Sequence, residues 1–583
     1  MIIAILAAVC CAAAIVYALR WRIEEELPQK PTAVRRIATR KRQAPEKKPE
    51  EEKTEEKEES TTPPFINGTV TDTEGNPMAG VVVSNGIDCA ATDSLGRYKL
   101  PNDSTARFVF FTVPADCEVP VHSAKDHTAH FYKPIIKGVS RYSFTLKKLE
   151  GGVEKYYKMI VLGDPQVTND FNPYYNGPDD KPLEIGDVER FATETMADIR
   201  RTIRSLPQET PIYGLSMGDD VQYYGGFNPM LEKQIREVLG SSKMRIFSVI
   251  GNHDQDNNPE YLNKWEEAWG PTDYSFDRGN EHYMCFNNVR FHGKYASYYS
   301  PGELSDSQMK WLRQDLALTP KSKKVVLCYH IPFTFGTSPF GKARPLSAAH
   351  EKGHYSSSRL PALLSLLSEF SGGYELFCGH THFAINHETE IDGHHVIEHC
   401  HAAACGNIWQ SNINICGTPN GYYVYTFRGS RMVSCYYKGT FWDAHKQMTL
   451  FHADTDFNGE SYAADWDLPR NRRIIVANVF NADSRWRITA EENGVEYPMH
   501  RINSRGQDAF ATGYHHKYAV ATNFRFISKQ NSYLIMNHLY YYEPKSTESK
   551  IRIIARDPYG HTFTEDAENI VTEPFFNYAH YYK

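Results

Sequence analysis

The sequence lacks a large excess of charge of either sign. Its 583 residues carry 64 Lys and Arg against 71 Asp and Glu, a formal net charge of −7 at pH 7. So small a charge for this length gives no electrostatic reason to expect a nucleic-acid partner, and the basic residues form no base-reading motif. We therefore predict that the protein contains no nucleic-acid-binding module.

Cysteines spaced for metal binding are also missing. The chain has 11 cysteines, and no two of them stand in a CxxC arrangement. Closed structural zinc sites depend on such thiolate pairs, so the spacing excludes a zinc finger or ribbon. Scattered cysteines are typical of small buried side chains, although Cys89 and Cys117 are close enough in the chain to pair within one small domain.

Long apolar runs are absent outside the N-terminus. Residues 2–19 carry no charge, and Arg20 and Arg22 follow directly. Such a run is just long enough to cross a bilayer, so we interpret residues 1–22 as a membrane anchor or an uncleaved signal. The positive charges on its C-terminal side favour a cytosolic location for the rest of the chain.

Several domains are expected, because 583 residues are too many for one hydrophobic core. Residues 23–64 consist mainly of Pro, Lys, Arg and Glu, and predict a charged, disordered linker. Residues 65–150 alternate short strand patterns with turn sequences, which predicts a small antiparallel β-sandwich. Residues 155–440 alternate strands and helices and predict an α/β domain, whereas residues 455–583 predict a C-terminal β-domain without helices.

Polar side chains follow five predicted strands of the α/β domain. In chain order they are Asp164, Asp219, Asn252, His330, and the pair His380 and His382. Ligands of open α/β sheets bind at the carboxyl ends of the strands, so these side chains are expected at one rim. A glycine stands before most of them and allows the backbone to turn sharply near a bound ion.

This set of side chains predicts a centre for two metal ions. Two carboxylates, an amide oxygen and three imidazoles suit divalent Mn, Fe or Zn. The number of ligands is too large for one open catalytic ion and sufficient for two. A pair of ions about 3.5–4 Å apart can clamp a displacement at phosphorus and activate a bridging hydroxide for in-line attack.

The order Asp, Gly-Asp, Gly-Asn-His-Asp, His, Gly-His-x-His resembles the calcineurin-like metallophosphoesterases over about half of the chain. The resemblance implies a four-layer α/β/β/α sandwich, flanked here by two small all-β domains. The first of these resembles carboxypeptidase regulatory-like modules at residues 68–82 and 92–98. The whole arrangement resembles exported bacterial three-domain members, and so implies a membrane-anchored protein whose catalytic part is extracytoplasmic, against the flanking charge.

The resemblance also implies roles for individual residues. One metal would be held by Asp164, Gln166, Asp219 and His382, and the second by Asp219, Asn252, His330 and His380. His253 would protonate the leaving group, and Asp254 would orient its imidazole. We interpret Trp409 as an aromatic side chain near the pocket mouth that stacks on a substrate ring, with packing in the core as the alternative. We interpret Tyr223 as a residue that lines the substrate cleft.

Gln166 departs from the commonest family pattern, in which this position is a histidine. A glutamine carbonyl still offers an oxygen ligand, and it favours Mn or Mg over Zn. The departure leaves open an alternative function, a catalytically degenerate fold that serves as a surface binding or scaffold protein. The presence of His253, Asp254 and both histidines of residues 379–382 favours a phosphoesterase, with a phosphorylated small molecule, lipid or glycan as substrate. The motifs do not separate monoester, diester and pyrophosphate substrates.

Overall fold

The computed structural model describes residues 63–168, 185–223, 226–291, 302–333, 359–409, 411–457, 460–461, 468, 473–502, 508–517 and 537–570. The predicted anchor and almost all of the predicted linker lie outside these ranges. Within them, no helix combines the length and the apolar character needed to cross a bilayer.

The N-terminal part folds into two small sheets. Its strands are β1 (Phe65–Asp72), β2 (Val82–Ser84), β3 (Cys89–Ala91), β4 (Arg97–Pro101), β5 (Phe108–Phe111), β6 (Tyr132–Pro134) and β7 (Phe144–Leu146). One sheet has the order β4-β1-β7 and the other β3-β2-β5-β6. Because β1 runs parallel to β7, this sandwich is not purely antiparallel, contrary to the prediction.

The central part alternates strands and helices. Its strands are β8 (Tyr157–Leu162), β9 (Val167–Thr168), β10 (Ile212–Ser216), β11 (Val221–Gln222), β12 (Arg245–Ser248), β13 (Tyr274–Arg278), β14 (Glu281–Cys285), β15 (Lys324–Cys328), β16 (Tyr374–Cys378), β17 (Ile385–Ile391), β18 (His394–Cys400), β19 (Gly421–Phe427) and β20 (Met432–Gly439). Its helices are α1 (Asp187–Thr193), α2 (Thr195–Ser205), α3 (Leu231–Gly240), α4 (Asn252–Gln255), α5 (Pro259–Trp269), α6 (Asp306–Leu318) and α7 (Arg359–Leu367). Helix α6 begins with the predicted capping box of Ser305 and Gln308.

Two larger sheets organise this part. The five-stranded sheet has the order β12-β10-β8-β19-β20, in which β12, β10 and β8 are parallel. The six-stranded sheet has the order β13-β14-β15-β16-β18-β17, in which β14, β15, β16 and β18 are parallel. The carboxyl ends of seven parallel strands are thus available to carry a site.

The two sheets pack face to face. The rings of Phe247 and Phe276, one from each sheet, stack 3.7 Å apart, and the hydroxyls of Tyr157 and Tyr283 lie 2.7 Å apart. Helices α1, α2, α3 and α5 share a core with the outer face of the five-stranded sheet. Helices α6 and α7 add leucines to the core that contains the six-stranded sheet. The mixed α/β architecture agrees with the predicted α/β/β/α layers.

Segments of the N-terminal part cover one edge strand of each sheet, β13 and β12. Val113 bridges to Phe276 on β13, and Thr128 bridges to Ile246 on β12. An uncovered edge strand exposes unpaired backbone groups, so this contact protects both sheets. The buried guanidinium of Arg278 reinforces it by donating to the carbonyls of Pro114 and Cys117.

The C-terminal part contains two further sheets. Its strands are β21 (Met448–His452), β22 (Asp456–Phe457), β23 (Glu460–Ser461), β24 (Ile475–Val479), β25 (Arg487–Glu492), β26 (Val495–Pro498), β27 (His500–Arg501), β28 (Leu539–Tyr542), β29 (Ile551–Arg556) and β30 (Thr562–Asp566). The prediction that helices disappear after residue 454 is wrong, because helix α8 (Ala509–Lys517) lies among these strands. Its Asp508 accepts the backbone N–H of Ala511, and this cap helps a segment of weak helix formers to begin a helix.

Candidate metal centre

Three predicted ligands project from neighbouring parallel strands of the five-stranded sheet. Asp164 follows β8, Asp219 follows β10, and Asn252 follows β12. Their side chains are all buried, with exposures of 0%, 1% and 1%. The register of the three strands brings sequence positions far apart to one end of the sheet, as the strand-end argument predicted.

The remaining predicted ligands come from the opposite sheet. His330 follows β15, and His380 and His382 follow β16. The Nε2 atom of His330 lies 3.0 Å from Asp219 Oδ2 and 3.1 Å from Asn252 Oδ1. The predicted metal ligands therefore come together between the two sheets, and not along the rim of one open sheet.

The facing strand ends of the two sheets bring the predicted ligands into a compact cluster. One ligand atom each from Asp219, His330 and His380 lie within 4.8 Å of one another. Asp164 Oδ1 lies 4.0 Å from His330 Nε2 and 3.6 Å from His382 Nε2. The structure thus brings together all six residues that were predicted from strand ends.

Backbone strain is concentrated in these residues. Asp164, Asp219, His380 and His382 have φ values of +38°, +51°, +70° and +60°, and Gln166 has +40°. Side chains other than glycine seldom adopt this left-handed conformation, and such residues cluster at functional sites.

Two glycines make room for the carboxylates. A Cβ atom on Gly251 would overlap the carboxylate and backbone nitrogen of Asp219, and one on Gly379 would lie 2.9 Å from Asp164 Oδ2. Neither position could carry a side chain without displacing a predicted ligand. The glycines before the polar residues therefore have a steric reason as well as a conformational one.

The electrostatics of the cluster fit divalent cations. Burial raises the pKa of Asp164 well above its usual value. Burial also opposes ionisation of Asp219, but the neighbouring His330 and His253 lower its pKa overall. Burial lowers the pKa of His382 to about 4, which leaves a neutral imidazole, the form that binds metals. Buried carboxylates need compensating positive charge, and a divalent cation between these oxygens and imidazoles would supply it.

The amide of Gln166 is held in one orientation. Its Nε2 donates to Gln222 Oε1 at 2.7 Å, and both side chains are buried. A glutamine amide has one acceptor oxygen and one donor nitrogen, so the nitrogen is committed, and the oxygen, which the Cys405 thiol contacts at 3.9 Å, keeps a second lone pair for a cation. The sequence analysis did not identify Gln222. The feature that could have identified it is its position two residues after Asp220, in β11.

The loop at residues 404–409 holds the first motif. The backbone N–H of Ala404 donates to the carbonyl of Gly163 at 2.7 Å, and Trp409 Nε1 donates to the carbonyl of Pro165 at 2.9 Å. The interpretation of Trp409 as a substrate contact at the pocket mouth is wrong, because its side chain is 1% exposed. The Arg190 guanidinium lies over its ring at 5.1 Å. Trp409 instead supports the backbone beside Asp164.

The polar residues at positions 251–254, where helix α4 begins, make hydrogen bonds that differ from the expected ones. The backbone N–H of His253 donates to Asp219 Oδ1 at 2.7 Å, and its side chain is half-buried. Asp254 accepts the backbone N–H groups of Asp219, Val221 and Gly251 at 2.9, 3.0 and 2.7 Å. These contacts assign Asp254 to the backbone of two loops rather than to the His253 imidazole, the partner that the resemblance implied.

Tyr223 lies in an aromatic cluster beside α5. Its ring is 4.3 Å from that of Tyr261 and 5.2 Å from that of Phe227. Two of its neighbours are therefore core-forming aromatic rings, and its contact with a substrate stays a prediction.

Asp220 is a further buried carboxylate that the sequence reasoning passed over. It accepts the hydroxyls of Ser216 at 2.5 Å and Ser248 at 2.6 Å, and burial raises its pKa to about 6. It therefore ties the ends of β10 and β12 together behind Asp219. The doubled aspartate in Gly-Asp-Asp was the signal that could have found it.

Comparison with protein families gives three matches along the chain. The profile of the calcineurin-like phosphoesterase matches residues 157–384. The profiles of the N terminal and the C terminal of calcineurin-like phosphoesterase match residues 65–149 and 398–563. Together these ranges span most of the chain, including all the predicted ligands. No curated protein matches the sequence.

Two of the solved structures that match this chain are distant from it in sequence. The structure of NAD nucleotidase (NadN) from Haemophilus influenzae is 10% identical, with a TM-score of 0.25, and the match covers 49% of either chain. The purple acid phosphatase PPD1 from yellow lupin (Lupinus luteus) seeds is 12% identical, with a TM-score of 0.28, and the match covers 64% of this chain and 66% of that one. The chain thus spans about half of the first protein and about two thirds of the second.

Proposed function

Since the chain belongs to the calcineurin-like phosphoesterase family and is a metal-dependent phosphoesterase, we propose that it hydrolyses a phosphate ester at a two-metal centre between its two sheets. The observation that supports this most directly is the convergence of Asp219, His330 and His380, whose ligand atoms lie within 4.8 Å of one another. Oxygen and imidazole ligands without a thiolate suit Mn, Fe or Zn.

The proposed assignment follows the positions of the side chains. One ion would be held by Asp164, Gln166, Asp219 and His382, and the other by Asp219, Asn252, His330 and His380. Two such ions, when bound, activate a water for in-line attack on phosphorus and stabilise the charge of the transferring group. Asp219 is proposed as the shared ligand because its two oxygens face different partners, His330 at 3.0 Å and the backbone of His253 at 2.7 Å.

The protein's own residues position the reaction. The proposed acid is His253, whose main chain is bound to Asp219 and whose half-buried side chain interacts electrostatically with the Asp219 carboxylate. From there it would donate a proton to the oxygen of the leaving group. Asp254 supports this geometry indirectly, because its carboxylate binds the backbone at both Asp219 and Gly251.

A hydrolysis assay tests this proposal. We expect the full-length protein with Mn²⁺ to hydrolyse p-nitrophenyl phosphate, its bis ester, or both. His253→Ala should lower kcat by about 10²–10⁴-fold while metal content is unchanged, because the acid is lost and the metal ligands remain. His445→Ala, a change to an exposed histidine, is the matched control and should leave kcat unaltered.

The alternative, a degenerate fold that serves as a binding or scaffold protein, makes the opposite prediction. The metal-loaded protein would hydrolyse neither ester, and His253→Ala would change no measured property. A preference for the diester over the monoester would also narrow the class of substrate, which we propose is a phosphorylated small molecule, lipid or glycan.

We further propose that residues 1–22 tether the protein to a membrane with its catalytic part extracytoplasmic. Protease digestion of intact cells would test this location.

A further inference from the structure

Two cysteines are in contact close to the proposed metal centre. Cys378 is the last residue of β16 and Cys400 the last residue of β18, and they are direct partners in this parallel strand pair. Their Sγ atoms lie 3.0 Å apart, and both side chains are buried, with exposures of 0% and 1%. Cys89 and Cys117, the pair considered from the sequence, are separate thiols, and all the cysteines in the described part of the chain, Cys378 and Cys400 included, are reduced.

The geometry favours a disulfide bond. Neighbouring strands lie about 4.8 Å apart, and disulfides join residues whose Cα atoms are about 4.4–6.8 Å apart. Paired residues of adjacent strands also point to the same face of the sheet, so the two cysteine side chains lie side by side. Their sulfur atoms, 3.0 Å apart, are already in contact.

We infer that Cys378 and Cys400 form a disulfide when the chain folds in the presence of a disulfide oxidant. One of the two cysteine thiolates attacks one sulfur of the oxidant and releases a first thiol. The other thiolate then attacks the protein sulfur of this mixed disulfide and releases a second thiol. Two protein S–H bonds and the S–S bond of the oxidant break, while one protein S–S bond and two S–H bonds of the reduced oxidant form.

Both sulfurs are buried once the sheet has formed, so exchange with an oxidant has to take place during folding, before the sheet excludes the oxidant.

The bond would fix the base of the metal centre. Cys378 directly precedes Gly379 and His380, and its carbonyl accepts the backbone N–H of His401 at 2.9 Å. From Cys400 the chain continues to Ala403, which bridges to Gly163 beside Asp164. The disulfide thus links the strand that carries two predicted ligands to the segment that supports the first motif. It does not depend on the proposed hydrolysis.

Thiol counting on the full-length chain tests the inference. The chain is folded once with oxidised glutathione and once with a reductant, then unfolded in guanidinium with N-ethylmaleimide and analysed by mass spectrometry. We expect the oxidised sample to accept two fewer labels than the reduced one, out of the 11 cysteines in the sequence. Proteolysis should yield one linked peptide pair that contains residues 378 and 400 and separates on reduction.

Variants make the assignment specific. Cys400→Ser should abolish the linked pair, whereas Cys285→Ser should retain it. The second variant is a matched control, because Cys285 and Cys328 are also buried partners in adjacent parallel strands. Equal labelling of the two wild-type samples, or a link between Cys285 and Cys328 instead, would overturn the inference. The wild-type comparison decides the matter even if a serine variant does not fold.

Discussion

Replacing Gln222 with leucine should weaken the binding of a divalent ion at the site that contains Asp164 and Gln166. Gln222 Oε1 accepts the amide N–H of Gln166 at 2.7 Å, and the two side chains are 4% and 1% exposed. Leucine has a similar size and offers no acceptor. The amide of Gln166 can then turn its nitrogen toward the ion, and the oxygen ligand is lost.

The expected magnitude follows from the buried hydrogen bond. A buried donor left without an acceptor costs about 1–3 kcal/mol. If this cost falls on the metal-bound orientation of Gln166, the dissociation constant should rise about 5- to 150-fold. The range agrees with the roughly 10- to 100-fold loss of affinity that follows removal of a side chain that orients a metal ligand.

Calorimetric titration of the metal-depleted protein with Mn²⁺ measures this effect without reference to catalysis. Gln222→Glu is the matched control, because it keeps an acceptor oxygen and should retain most of the affinity. Gln166→Ala should weaken binding by at least as much as Gln222→Leu. If Gln166→Ala weakens binding and Gln222→Leu does not, the orientation argument is refuted. If neither change matters, Gln166 is not a ligand.

Two further predictions concern other parts of the same domain. Gly251→Ala should lower kcat/KM about 10²-fold with an unchanged circular dichroism spectrum, because the new methyl group displaces the Asp219 carboxylate. Gly151→Ala is the control and should have no effect, because the added atom meets nothing within 4 Å. Burial lowers the pKa of His282, but Asp315 and Asp277 raise it to about 9 overall. This raised pKa should contribute on the order of 3 kcal/mol of stability, fully present below about pH 6.5 and lost as the pH rises through about 9. Denaturation midpoints measured between pH 6 and pH 10 would show this loss in the wild type, and an equal slope in His282→Gln would contradict it.

The sequence was sufficient to find the residues that the structure gathers into one cluster, because most of them follow a local rule. A short apolar strand, a glycine and then a polar side chain recur at Asp219, Asn252 and His380, and each polar side chain stands at the carboxyl end of a parallel strand of its own sheet. The same periodicity predicted the α/β class and the flanking strands. The capping box at Ser305 was equally local, and the structure contains it.

Local patterns were insufficient wherever a residue depends on partners that are distant in the chain. Helix α8 was missed because its sequence has weak intrinsic preference for a helix, and its start depends on capping by Asp508. Trp409 was misplaced because an aromatic residue near a motif has the same sequence signature whether it is exposed or buried. Its partner, the carbonyl of Pro165, lies 244 positions earlier in the chain.

The sequence by itself determined which side chains are available to bind metal and which strands deliver them. Only the tertiary structure decided that they come from two facing sheets, that Asp254 binds backbone groups, and that Gln222 orients Gln166. The physical reason is that ligand type and strand pattern are properties of neighbouring residues. Hydrogen-bond partners and burial depend instead on how the sheets pack, and in this protein that packing joins residues more than a hundred positions apart, such as Met217 and His330.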